Sequence, residues 1–98
     1  MENVLIVEDS LVQGAQLKSI LEADYNITTV QTAEEGFSCA STGDYSLILL
    51  DVVMPGMDGF MLLKKLQDEV TTRYIPVILI TSLADIEHEQ KGLMLGAV

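Results

Sequence analysis

The chain has 98 residues, 49% of them hydrophobic, and its fifteen acidic and five basic side chains give a net charge of −10. This length fits one domain, the apolar content argues against disorder, and the acidity disfavours binding to nucleic acid or to anionic lipid. The chain has a single cysteine, no apolar run near the roughly 20 residues that a membrane span needs, and no basic signal-peptide region. These features predict a cytoplasmic protein.

The first half of the chain predicts two strand and helix pairs. Residues 4–7 are wholly apolar, which is typical of a parallel strand buried on both faces. The more polar run 27–30 suits an edge strand. Capping-box spacings predict that helices begin near residues 11 and 33, and the two matches are Ser10 with Gln13 and Thr32 with Glu35.

The second half repeats this alternation. Runs 47–50 and 77–80 are again apolar and predict two more buried strands. Between them, Asp58 can cap a third helix, and a last helix is expected over residues 85–95. The apolar positions that predict the third helix recur at helical spacing: Leu62, Leu63, Leu66 and Val70.

The resulting βαβαβαβα order predicts a parallel sheet with right-handed crossovers and helices on both faces. In open sheets of this class, ligands bind at the carboxyl ends of the strands, beside the point where the strand order reverses. Functional side chains are therefore expected just after the strands.

Polar residues follow the three buried strands: Glu8 and Asp9, then Asp51, then Thr81 and Ser82. If the first and third strands are neighbours, three carboxylates converge and need a cation, and oxygen donors with open positions for water favour Mg²⁺. Without the ion, repulsion is expected to raise at least one carboxyl pKa. The alternative is that these acids are only solvated or capping groups at strand ends.

Asp51 comes directly after four apolar residues, so its carboxylate is expected at the rim of the sheet on a rigid element. This placement suits a nucleophile, and attack on a phosphoryl donor needs in-line approach and neutralisation of the phosphoryl charge. The Thr81 hydroxyl and a magnesium ion are candidates to supply part of that neutralisation.

Three segments together resemble response-regulator receiver domains of two-component signalling: VLIVEDS at 4–10, LILLDVVMPGMDGF at 47–60 and IPVILITS at 75–82. The resemblance covers the whole chain. It implies a doubly wound, flavodoxin-like α/β fold with strand order 2-1-3-4 and a single receiver domain over residues 1–98.

The resemblance also implies roles for individual residues. Asp51 would be the phosphoacceptor, and Glu8 and Asp9 would hold Mg²⁺ together with Asp51. The backbone carbonyl of Val53 would be a further metal ligand. Thr81 would supply the switch hydroxyl, and the backbone at Ser82 would belong to the loop facing the phosphoryl group.

By the same resemblance, the donor would be a histidine kinase or a histidine phosphotransfer protein, and the reader would be an output domain or target protein. Such a domain is not an enzyme beyond catalysing its own phosphorylation and dephosphorylation. Two alternatives are an interaction module of receiver fold that is never phosphorylated and a hydrolase of aspartyl phosphates. Val53 stands where such hydrolases have a second aspartate, which argues against the latter.

The chain departs from the family pattern at its carboxyl end, because it stops before a fifth strand and fifth helix. We expect a shortened domain, although residues lost to disorder or completion by a second copy would give the same sequence. Strand four would then be an apolar edge, which favours pairing with a companion such as a second copy.

Overall fold

The computed structural model describes residues 1–51 and 59–80, in which strands and helices alternate. In chain order these elements are β1 (Asn3–Val7), α1 (Leu11–Leu21), β2 (Asn26–Val30), α2 (Ala33–Thr42), β3 (Leu47–Asp51), α3 (Gly59–Asp68) and β4 (Val77–Ile80). The predicted strands and first three helices are thus confirmed. The helix predicted over 85–95 lies outside the described residues.

The strands form a parallel sheet in the order β2-β1-β3-β4, as predicted. Val7 at the end of β1 lies opposite Val30 of β2 on one side and Leu50 of β3 on the other. The chain therefore winds outward to β2 and then returns past β1 to β3. This reversal places a crevice at the carboxyl ends of β1 and β3.

Alternation along the strands divides the core between the two faces of the sheet. Leu5 and Val7 join the larger cluster, which α2 and α3 cover, whereas Val4 and Ile6 join the cluster beneath α1. All four side chains are at most 1% exposed. Because full burial of one such side chain contributes about 1.5–3 kcal/mol, β1 is a major source of stability.

The first two helices begin at the predicted caps. The backbone N–H of Gln13 donates to Ser10 Oγ over 3.2 Å at α1, and that of Glu35 donates to Thr32 Oγ1 over 3.1 Å at α2. The Thr32 hydroxyl also donates to the Glu35 carboxylate over 3.1 Å. Each cap satisfies a backbone donor that has no partner inside the helix.

The predicted extent of the third helix is wrong at Val70. The helix ends at Asp68, and Val70 is 73% exposed in the turn that follows. The buried Thr72 hydroxyl donates to the Leu66 carbonyl over 2.6 Å. A carbonyl in the last turn thus has a side-chain partner, which stabilises the turn in place of further helix.

Strand β4 also differs from the prediction of burial on both faces. Val77 is 2% exposed and belongs to the cluster shared with α2 and α3, but Ile78 on the opposite face is 41% exposed.

Among the helices in residues 1–51 and 59–80, none is long and apolar enough to cross a membrane.

Gly36 and Gly14, the fourth residues of α2 and α1, form a matched pair for testing how closely each helix approaches the sheet. A Cβ at Gly36 would lie 2.8 Å from Val7 Cγ2, whereas one at Gly14 would come no nearer than 4.0 Å to Glu8 Cγ. We expect Gly36→Ala to lower the free energy of unfolding by about 1–3 kcal/mol, because the buried β-branched Val7 cannot move aside.

Gly14→Ala is the control, and it should leave stability unchanged or raise it by up to about 1 kcal/mol through helix propensity. Urea denaturation followed by far-UV circular dichroism measures both variants. Equal midpoints for the two would show that α2 does not approach Val7 as described.

Candidate metal centre

The register of the sheet brings the predicted acids together. Val7 lies opposite Leu50, so the next residues, Glu8 and Asp51, stand level at the carboxyl edge of β1 and β3. One carboxylate oxygen from each of Glu8, Asp9 and Asp51 lies within 4.8 Å of the other two. The expected convergence of these three carboxylates is therefore confirmed.

Glu8 is the most unusual member of this acidic cluster. Its side chain is only 3% exposed. Oε1 accepts a hydrogen bond from the backbone N–H of Ser10 over 3.1 Å, but Oε2 is buried and has no hydrogen-bond partner among the described residues. Burying a carboxylate oxygen without a donor costs several kcal/mol, so this position favours either a proton or a cation.

The surroundings of Glu8 raise its pKa to about 7. Burial is the largest cause, and the neighbouring carboxylates of Asp51 and Asp9 raise it further, whereas the Ser10 N–H lowers it. The expectation of a raised carboxyl pKa is confirmed. The expected repulsion from Asp51 contributes to the raised pKa, and loss of hydration on burial contributes more.

Asp51 supplies the acid that lies on the strand itself. It is the last residue of β3, half-buried, and opposite Ile80 of β4 in the parallel ladder. Because β3 pairs with β1 on its other side, the backbone that carries this carboxylate is held by two neighbouring strands. A carboxylate on so rigid an element is well placed to act as a nucleophile.

The cluster fits a small hard cation. Carboxylate oxygens are preferred ligands of Mg²⁺, which usually retains several waters and needs few protein ligands. The buried Oε2 of Glu8 has no donor among residues 1–51 and 59–80, and it is an oxygen that such an ion would satisfy. We therefore find that the residues present fit Mg²⁺.

Three other predicted site residues, Val53, Thr81 and Ser82, lie outside the described residues. One contributor was missed from the sequence: Ser10 was recognised only as a helix cap, yet its N–H also binds Glu8. The signal available was its position directly after the acidic pair.

The sequence profile of the response regulator receiver domain matches residues 4–98. The chain belongs to this family. Receiver domains act in two-component systems, where they interact with histidine kinases and output domains. They typically bind Mg²⁺ at an acidic cluster, and Glu8, Asp9 and Asp51 form such a cluster here.

Among curated proteins, this receiver domain is 38% identical over 95 residues to the transcriptional regulatory protein CusR of Escherichia coli K12. The match covers 96% of the chain and 41% of CusR, so the chain spans less than half of that relative.

Solved structures agree on the fold. The signal receiver domain of a histidine kinase from Syntrophus aciditrophicus is 40% identical with a TM-score of 0.86, over 99% of this chain and 74% of that one. The receiver domain of the sensor histidine kinase PA1611 from Pseudomonas aeruginosa PAO1 is 25% identical with a TM-score of 0.88, over 98% and 80%. That structure has a magnesium ion coordinated in its active-site cleft.

The raised pKa of Glu8 predicts a distinctive dependence of stability on pH in metal-free buffer. Because the folded state holds the proton up to about pH 7, the protonated form contributes stability that is lost as pH rises from about 4.5 to 7. Glu8→Gln cannot lose this proton. The free energy of unfolding of Glu8→Gln, relative to that of the unaltered protein, should therefore rise as pH increases from 5 to 8. The expected rise is a few kcal/mol, at about 1.4 kcal/mol per pKa unit.

Urea denaturation in EDTA at these two pH values is the measurement, and Glu2→Gln, an exposed acid near the amino terminus, is the control. Saturating Mg²⁺ should reduce the difference, because the cation replaces the proton. Parallel pH profiles for the unaltered protein and Glu8→Gln would contradict the prediction.

Proposed function

We propose that this receiver domain accepts a phosphoryl group on Asp51 from a phosphohistidine donor, with Mg²⁺ held by Glu8, Asp9 and Asp51. The observation that supports it best is the approach of these three carboxylates to within 4.8 Å at the end of β1 and β3. The donor would be a histidine kinase or a histidine phosphotransfer protein. The support for this class of donor is the family match.

In the proposed transfer, a carboxylate oxygen of Asp51 forms a bond to phosphorus while the bond from phosphorus to the donor's histidine nitrogen breaks. The electrons of that bond return to the imidazole, which takes up a proton, and the product is an aspartyl phosphate. Magnesium, when bound, neutralises charge on the phosphoryl oxygens. The strands on both sides of β3 limit movement of the nucleophile.

Further roles extend to residues outside the described part of the chain. We propose the Val53 carbonyl as another metal ligand, the Thr81 hydroxyl as the switch group, and the Ser82 backbone as part of the loop facing the phosphoryl group. The support is the family match over residues 4–98. We propose that residues 1–98 form one receiver domain.

Phosphorylation would shift the population of conformations in the region after β4 and so control an output domain or target protein in the cytoplasm. CusR is a transcriptional regulator and the Syntrophus protein a histidine kinase, so similar receiver domains occur in different kinds of protein. We propose no catalysis beyond the domain's own phosphorylation and dephosphorylation.

The first test is phosphorylation by a small donor. Incubation with acetyl phosphate and Mg²⁺ should add one phosphoryl group to the chain by intact mass, and EDTA should prevent it. Asp51→Asn should not react. Asp44→Asn, at an exposed position three residues before β3 begins, should react like the unaltered protein.

If the unaltered, folded chain gains no phosphoryl group, the phosphoacceptor proposal is wrong. The interaction module that is never phosphorylated would then be the better interpretation.

A second test concerns the lifetime of the phosphorylated form. Val53 stands two residues after Asp51 and has no side-chain group able to orient a water molecule by hydrogen bonding. We expect Val53→Asn to lose the phosphoryl group several-fold faster, measured by intact mass after removal of the donor. Val53→Ala reduces the side chain without adding a hydrogen bond and should not show this acceleration; equal decay of all three proteins would refute the prediction.

A further inference from the structure

Ser10 connects the acidic cluster to the start of helix α1. It is the N-cap residue, with φ −82° and ψ 119°, and its Oγ accepts the backbone N–H of Gln13 over 3.2 Å. Its own N–H donates to Oε1 of Glu8 over 3.1 Å. One residue therefore both caps the helix and fixes one oxygen of a candidate metal ligand.

The same cap is built differently at helix α2. There, Thr32 accepts the N–H of Glu35 and its hydroxyl donates to the Glu35 carboxylate, so the cap is completed by the helix it starts. In a capping box, the third helical residue also reaches back to the N-cap N–H. At α1 the N-cap N–H binds Glu8 instead.

This arrangement constrains the orientation of Glu8. Oε1 is held by the Ser10 N–H, and the remaining oxygen, Oε2, is buried without a hydrogen-bond partner among residues 1–51 and 59–80. The side chain is 3% exposed, so solvent cannot satisfy that oxygen. Loss of the cap would allow the first turn of α1 to fray and would release the N–H that holds Oε1.

We propose that Ser10 is a positioning residue, whose helix cap holds the Glu8 carboxylate with one oxygen free to bind the metal ion. This inference rests on the proposed magnesium site. Hydrogen bonds to metal ligands orient those ligands, and losing one typically lowers metal affinity about 10–100-fold. In this proposal Ser10 is not a metal ligand and acts through its hydrogen bond to Glu8.

Metal binding at Glu8 should in turn affect the helix cap at Ser10. If the cap strengthens metal binding, metal binding must strengthen the cap by the same factor. The amides that report this are those of Gln13, bonded to Ser10 Oγ, and Gly14, bonded to the Ser10 carbonyl over 2.9 Å. At α2, the amides of Glu35 and Gly36 are bonded to Thr32 in the same way and serve as an internal reference.

The first experiment measures Mg²⁺ affinity by calorimetric titration of the whole chain at pH 8, after circular dichroism has confirmed folding. Ser10→Ala should weaken binding by about tenfold, the lower limit for loss of such a partner. Thr32→Ala removes the equivalent cap at α2 and should leave affinity unchanged. Ser10→Asn restores a good N-cap and should return affinity to near that of the unaltered protein.

The second experiment uses the unaltered protein and does not depend on any variant folding. Hydrogen exchange with and without Mg²⁺ should show slower exchange at Gln13 and Gly14 and a smaller change at Glu35 and Gly36. Equal changes at the two caps, or equal affinity of Ser10→Ala and Thr32→Ala, would overturn the role of Ser10 while leaving the magnesium site intact. No saturable binding by the unaltered protein would instead overturn the magnesium site, and this inference with it.

Discussion

The parallel register between β1 and β3 is the constraint on which the site depends. Because Val7 lies opposite Leu50, the acids that follow them reach the same edge of the sheet at the same level. A shift of one residue would send alternate side chains to the other face and bury polar groups in the core. The fully buried residues on both strands therefore determine the position of the carboxylates as well as the stability of the fold.

The free-energy cost of bringing the three carboxylates together is concentrated at Glu8. Its carboxylate is almost completely buried beside two other acids, and only one of its oxygens has a donor within the described residues. Proteins tolerate such a group when the surrounding structure fixes it in place, and such groups are common at functional sites. Here the surrounding structure is the apolar core below and the helix cap beside it.

Much of the fold was predictable from the sequence because its signals are local. Continuous apolar runs identified the buried strands, and capping-box spacings located the starts of α1 and α2. Val70 was assigned wrongly to the third helix because the Thr72 hydroxyl that ends the last turn binds a carbonyl six residues earlier, a contact that apolar spacing does not indicate. The convergence of Glu8, Asp9 and Asp51 was predictable, since parallel strands bring their ends together. The burial of Glu8 and its bond to Ser10 were not, because both depend on how α1 packs against the sheet.

The buried, half-satisfied carboxylate of Glu8 has a consequence for how this sequence would respond to selection. A neutral or apolar side chain of similar size at that position would relieve an unfavourable burial, so screening for heat resistance alone would favour replacing Glu8. The residue persists in a screen only if the proposed metal binding and phosphoryl transfer are selected at the same time. Laboratory evolution that selects for heat resistance alone would produce a more stable fold without the complete acidic cluster.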